Sequence, residues 1–196
     1  MALEPLDLRR SVLVIWDMQH AIVERAFNRA DMVPRATELL SAYRSRGLPI
    51  VFSQHTTPPE AWGNPAMARS MIRRGVPSGS FRLVPGTPEW GIVPELEPWP
   101  HELVLAKFTP SFFVGTPLES MLRFRNIQSL VLSGVSTEGG ILGTAQHAAQ
   151  LGFHPLVVED AVGSMTAEGH AEGLRLLRAR FDLETTASVL ARLPST

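Results

Sequence analysis

Six short apolar runs recur along this chain, and most are separated by longer segments with the apolar spacing of amphipathic helices. This alternation predicts a parallel sheet whose strands are joined by crossover helices. Because most of the runs are almost uniformly apolar, we expect helices to cover both faces of the sheet. The predicted strands are residues 12–16, 50–53, 103–106, 130–133, 156–158 and 183–186.

The predicted fold class is therefore α/β, a three-layer αβα sandwich around a central, mostly parallel, six-stranded Rossmann-like sheet. Right-handed crossovers bring the C-terminal ends of such strands to one edge. With 196 residues the chain has the length of one domain, and we predict a single domain over 1–196. Polar residues that directly follow the strands are the first candidates for a functional site.

One segment, 58–100, departs from this alternation. It holds nine of the sixteen prolines and three of the four tryptophans, with little periodicity. A stretch of this length without regular structure is typical of a lid, a binding loop or a subunit contact. The alternative is a surface excursion with a helical turn around 66–73.

Charge and cysteine content exclude several classes of function. A net charge of −1 and a pI near 6.6 predict no binding to nucleic acid or to an anionic membrane. The apolar run at 12–16 is too short for a signal sequence or a membrane span, so we expect a cytoplasmic protein. The chain has no cysteine, which excludes disulfides, thiolate metal sites and thiol catalysis.

Asp17 and Lys107 stand directly after the first and third predicted strands. The strand ends predict that the two side chains face each other across the sheet edge. Burial would raise the pKa of Asp17 and suit it to proton transfer, whereas a nearby Lys107 would lower it, and the sequence leaves the balance open. The alternatives are an aspartate that caps the next turn and a lysine in solvent.

A third candidate segment is LVLSGVSTEGGILGT at 130–144, where a strand reaches a glycine and a Ser-Thr pair before a helical run. This order places backbone N–H donors at the C-terminal end of a strand. Ser136 and Gly140 are the candidates there, and a flexible helix start is the alternative.

Three motifs, IWDMQ at 15–19, AKFTPSFF at 106–113 and the segment at 130–144, together resemble the isochorismatase-like (cysteine hydrolase) superfamily. They occur in the order of that family, and the resemblance runs from about residue 11 to residue 162. It implies the same α/β fold and a hydrolase with a small-molecule substrate.

In most members of that superfamily an aspartate, a lysine and a cysteine form a catalytic triad. The resemblance places the first two at Asp17 and Lys107, and it places the cysteine where this chain has Gly140. It also implies a non-proline cis peptide at Val135-Ser136 and an oxyanion hole made by the backbone N–H groups of Ser136 and Gly140. The true isochorismatases, which hydrolyse a vinyl ether without a covalent step, have a similar glycine but a tyrosine where this chain has Ser136.

The resemblance also suggests substrate contacts and an assembly. Gln54 matches a glutamine that contacts substrate in the vinyl-ether-cleaving members. Ser53 stands where the metal-binding members have an aspartate, so we predict neither a metal nor a cofactor. Family members commonly form dimers or tetramers, which predicts a homo-oligomer. The remaining candidates for substrate binding are Trp62, Phe81, Arg82, Trp90, Phe112 and Phe113.

Three functional hypotheses follow. The first is general acid–base hydrolysis of a small enol ether, in which Asp17 delivers a proton and Lys107 steadies charge. The second is amide or ester hydrolysis by water or by a hydroxyl of Ser136, Thr137 or Thr144 in place of the thiol, although none of these has a histidine beside it in sequence. The third is a catalytically silent, ligand-binding protein.

Overall fold

The structure, a computed structural model, describes residues 6–73 and 82–195. In this part of the chain the strands are Ser11–Trp16 (β1), Ile50–His55 (β2), Leu103–Lys107 (β3), Ser129–Val135 (β4), His154–Gly163 (β5) and Asp182–Glu184 (β6). They form one sheet in the order β3-β2-β1-β4-β5-β6. Every neighbouring pair is parallel, which confirms the predicted fold class.

Seven helices are present in the described part. They are His20–Val23 (α1), Arg29–Ser45 (α2), Pro65–Arg73 (α3), Leu118–Phe124 (α4), Leu142–Gln150 (α5), Ala167–Arg178 (α6) and Thr186–Arg192 (α7). None of these described helices is long and apolar enough to cross a membrane.

The sheet separates two apolar cores. Side chains of β1 alternate between them, so that Leu13 and Ile15 join the core under α2 and α7. Val12, Val14 and Trp16 join the core under α4, α5 and α6. This alternation turns the Trp16 indole toward the α5 side of the sheet.

The last two strands differ from their predicted bounds. The sequence predicts an end at residue 158, before an acidic pair, but β5 continues to residue 163. It can continue because both acids have partners: Glu159 pairs with Arg178, and Asp160 Oδ1 accepts hydrogen bonds from the N–H and hydroxyl of Thr186 at 2.8 Å. Thr186 consequently begins α7, and β6 ends at residue 184.

The described parts of segment 58–100 lie on the surface and over the sheet edge. The predicted helical turn at 66–73 is part of α3, none of whose side chains is buried. Residues 82–100 return to the body of the protein, where Leu83 and Leu96 are buried and Val93 N–H donates to Met18 O at 2.9 Å. Whether the segment acts as a lid, binding loop or subunit contact stays a prediction.

The order of strands fixes where a site can form. The chain runs outward from β1 to β3 on one side of the sheet, and from β4 to β6 on the other. Loops therefore leave β1 and β4 in opposite directions, and their C-terminal ends are where open α/β sheets place ligand sites.

Candidate active site

Asp17 and Lys107 form a buried ion pair at the C-terminal ends of β1 and β3. Lys107 Nζ donates to Asp17 Oδ2 at 2.6 Å, and Ser53 Oγ donates to Oδ1 at 2.5 Å. The Asp17 N–H donates to the same Ser53 Oγ at 3.0 Å. Asp17 has a φ of 47°, a left-handed conformation that aspartate tolerates better than most residues. Only 2% of Asp17 and 1% of Lys107 is exposed to solvent.

Lys107 is the one lysine in a chain with seventeen arginines. Its burial lowers the pKa of the ammonium group, and the Asp17 charge opposes that shift. Besides Asp17, the Nζ donates to Thr109 O at 3.2 Å.

Sequence reasoning did not identify Trp16 as part of the site. The centroid of its ring lies 3.6 Å from Lys107 Nζ. Its Nε1–H donates to Thr144 Oγ1 at 3.0 Å, and 4% of the residue is exposed. A β-carbon at Gly140 would lie only 1.8 Å from Trp16 Cη2. Glycine at position 140 is therefore required by the packing of the indole.

In the third motif, β4 leads through a single turn into α5. The Val135-Ser136 peptide is cis, and the residues Thr137–Ile141 form one turn with π-helical bonding before α5. Thr137 Oγ1 donates to Gly163 O at 2.9 Å and lies 2.9 Å from His170 Nδ1. Thr137 has no histidine beside it in sequence, but the fold brings His170 next to its hydroxyl. The predicted role of the Ser136 and Gly140 N–H groups as oxyanion donors stays a prediction.

A second hydroxyl and histidine pair lies beside the AKFTPSFF segment. Ser111 Oγ is 2.8 Å from His147 Nδ1, and it accepts the Phe113 N–H at 3.3 Å. Sequence reasoning missed Ser111 because its partner lies 36 residues away, on α5.

Gln54 and Trp90 lie together at the end of β2. Gln54 Nε2 donates to Trp90 O at 3.3 Å, and the Trp90 indole N–H donates to Thr56 Oγ1 at 3.1 Å. Gln19 fixes the same region, since its Nε2 donates to Trp90 O at 2.8 Å and to His55 O at 3.1 Å. This network holds Gln54, on the strand beside β1, against Trp90 in the connection between β2 and β3.

The other predicted substrate contacts are dispersed. Phe112 is fully buried near Trp16, and its N–H donates to Thr144 Oγ1 at 3.2 Å. Phe113 stacks on Phe153 with ring centroids 5.9 Å apart, inside the apolar core. Trp62 is 81% exposed and Arg82 is also exposed, while Phe81 lies outside the described residues. Substrate contact by these residues stays a prediction.

A family model for the isochorismatase domain matches residues 11–188. The chain belongs to the isochorismatase family. The family protein YwoC of Bacillus subtilis is 29% identical over 182 residues, which cover 92% of each chain. The ureidoacrylate amidohydrolase RutB of Cronobacter turicensis is 30% identical over 172 residues, covering 78% of this chain and 74% of that protein.

A solved structure of an isochorismatase family protein from Burkholderia thailandensis is 28% identical and has a TM-score of 0.81. The match covers 95% of this chain and 97% of that chain. We conclude that the chain is an isochorismatase-family hydrolase. In the fold that it shares with that family, Asp17 directly follows β1 and Lys107 is the last residue of β3.

Both carboxylate oxygens at this isochorismatase-family site have protein partners. Ser53 holds one oxygen of Asp17 and Lys107 holds the other. Within residues 6–73 and 82–195, no group of three or more histidine, aspartate or glutamate side chains is placed to hold a metal ion.

His55, at the end of β2, makes folding sensitive to acid. Its burial lowers its pKa from 6.5 to about 4; the Lys107 charge adds to this shift and the Asp17 charge opposes it. Between these pH values the unfolded chain binds a proton that the folded chain does not. We expect this group to reduce the free energy of unfolding as the pH falls from 6.5 to about 4, by at most about 1.4 kcal/mol per pH unit.

Urea denaturation between pH 4 and pH 7 measures this effect, because this range spans the pKa of His55 in the unfolded and in the folded protein. His55→Gln should flatten the dependence, whereas His154→Gln, at an exposed position that begins β5, should not. Equal slopes for wild type and His55→Gln would contradict the assignment.

Proposed function

We propose that this isochorismatase-family hydrolase cleaves a small, isochorismate-like enol ether by general acid–base catalysis, without a covalent intermediate. One observation carries the proposal: a chain without any thiol has an aspartate and a lysine joined at 2.6 Å in an almost closed, apolar setting. Such a pair supplies a proton donor and a compensating charge but no nucleophile.

The proton comes from the hydrogen bond between Lys107 and Asp17. Burial lowers the pKa of the Lys107 ammonium group, which makes it a better proton donor to Asp17 Oδ2, 2.6 Å away. Ser53 Oγ keeps the other carboxyl oxygen in place. Asp17 Oδ2 then protonates the terminal carbon of the enol ether, and the ether carbon becomes an oxocarbenium ion.

Water completes the reaction. It adds to the oxocarbenium carbon, one of its protons passes through the Asp17 carboxylate back to the Lys107 amine, and the hemiketal breaks down to a carbonyl acid and an alcohol. Lys107 donates a hydrogen bond to the Asp17 carboxylate formed after the first step, and the backbone N–H groups of Ser136 and Gly140 position the polar oxygens of the substrate and the water. No step of this reaction uses a thiol.

The substrate reaches Asp17 by displacing part of the surrounding wall, because the carboxyl is almost closed to solvent. Gln54 and Trp90 stand on the neighbouring strand and connection, where they can contact a bound acid. Phe112, buried behind the third motif, supplies an apolar surface.

A second candidate function is amide hydrolysis. It is favoured by the 30% identity to the ureidoacrylate amidohydrolase of Cronobacter turicensis and by the two hydroxyl and histidine pairs, Ser111 with His147 and Thr137 with His170. Without a thiol, direct attack by water on an amide loses the gain of nucleophilic catalysis, so turnover would be slow.

The test is hydrolysis of isochorismate and of ureidoacrylate by the purified protein, with the first reaction repeated in D₂O. We expect the enol ether to be cleaved and the methyl group of the carbonyl acid to carry one solvent deuteron, as carbon protonation requires. The product acid kept in D₂O without enzyme controls for exchange. Cleavage of ureidoacrylate alone would favour amide hydrolysis, and ligand binding without either product would favour a silent binding protein.

A further inference from the structure

The indole of Trp16 lies at the centre of the site and contacts three of its parts. Its face lies under Lys107 Nζ, its Nε1–H donates to Thr144 Oγ1, and the edge of its six-membered ring lies on Gly140. Thr144 Oγ1 also accepts the Phe112 N–H at 3.2 Å, so the hydroxyl that holds the indole is itself fixed. The ring is therefore held in one orientation inside the apolar core.

The Lys107 ammonium group has three N–H donors, and each side of it has a partner. Asp17 Oδ2 takes one at 2.6 Å and Thr109 O takes another at 3.2 Å. The indole face, with its centroid 3.6 Å away, accepts the positive charge on the remaining side. An ammonium group buried this completely would otherwise face an apolar wall there, at a large cost in desolvation.

The same ring excludes a side chain at position 140. A β-carbon there would lie 1.8 Å from Trp16 Cη2, 2.1 Å from Cζ2 and 2.3 Å from Cζ3. These distances are far below van der Waals contact, and the pinned indole cannot withdraw without losing its bond to Thr144. The volume that a cysteine would need at residue 140 is thus filled by the tryptophan.

We propose that Trp16 is the positioning residue of this site: its face holds the Lys107 ammonium onto Asp17, and its edge keeps position 140 free of any side chain. The inference deepens the proposed function, because it explains how an acid–base pair stays organised in a site that excludes a thiol nucleophile. Position 140 accordingly supplies no side chain for covalent catalysis.

The single lysine allows a direct test without any substrate. Protein labelled with ¹³Cε-lysine gives one lysine signal, that of Lys107. In the wild type we expect the attached protons to resonate well upfield, since they lie over an aromatic face, and this measurement needs no variant. Trp16→Leu should abolish the upfield shift and lower the measured pKa of Lys107 by about one pH unit or more, and Trp16→Phe should restore part of both.

Two other charged groups influence the titration of Lys107. Asp17, from the end of β1, and His55, from the end of β2, are the titratable groups whose charges act with that of Lys107 in the described structure. Repeating the titration in His55→Gln removes the contribution of the histidine. A wild-type signal without an upfield shift, or a Lys107 pKa that is equal in wild type and Trp16→Leu, would overturn the positioning role.

A double-mutant cycle tests the exclusion of a side chain at position 140. Gly140→Ala should lower the urea midpoint strongly in the wild-type background and much less in Trp16→Leu, because the smaller side chain leaves room for the β-carbon. Gly143→Ala is the matched control, since a β-carbon at Gly143 would stay at an ordinary 3.5 Å from Pro110 O. Equal losses from Gly140→Ala in both backgrounds would contradict the exclusion.

These measurements separate the two proposals. The lysine signal and the urea midpoints involve no substrate, so they stand or fall independently of enol-ether cleavage. If Trp16 positions Lys107 and no enol ether is hydrolysed, the proposed function fails alone. If the enol ether is cleaved and Trp16→Leu leaves the lysine unchanged, the positioning role fails alone.

Discussion

Asp17→Asn is expected to lower kcat for enol-ether hydrolysis by about 10²- to 10⁴-fold, the contribution typical of a general acid. The asparagine amide keeps the size of the side chain and tolerates the left-handed backbone at this position, but it has no proton to deliver. Steady-state rates measured across the pH range, with folding checked by circular dichroism, test this expectation.

Asp182→Asn is the matched control, because Asp182 is exposed at the start of β6 and its change should leave kcat unaltered. A fully active Asp17→Asn protein would refute proton delivery by Asp17. It would direct attention to the hydroxyl and histidine pairs at Ser111 and Thr137.

Lys107→Met is expected to lower the free energy of unfolding by about 3–5 kcal/mol and to reduce activity as well. The substitution fills a similar volume but leaves the Asp17 carboxylate buried without its partner, and an uncompensated buried charge is strongly destabilising. Urea denaturation near neutral pH measures the loss.

The double variant Asp17→Asn with Lys107→Met removes both charges together. It should recover much of the stability lost in Lys107→Met while staying inactive, because no buried charge is left without a partner. Arg175→Met, which removes an exposed positive charge on α6, controls for the general effect of losing a cation. Strictly additive losses in the double variant would show that the 2.6 Å contact does not couple the two residues energetically.

Much of the fold was predictable because its signals are local. An apolar run such as the one in β1, followed by a polar residue and a helical segment, specifies a buried parallel strand, and right-handed crossovers then fix which ends meet. The prediction was wrong at β5 and β6, where Glu159 and Asp160 look like a strand end. Their partners, Arg178 and Thr186, come from α6 and α7, so tertiary contacts allow charged residues to continue the strand.

The sequence by itself determined the sheet, the family and the two strand ends that carry Asp17 and Lys107. Only the tertiary structure decided that these side chains meet, since 90 residues separate them along the chain. It also decided that Trp16 fills the space at Gly140. The physical reason is that strand and helix periodicity depends on residues that are close in sequence. Close packing of an indole against a backbone depends on elements that are distant in sequence and become adjacent only when the sheet assembles.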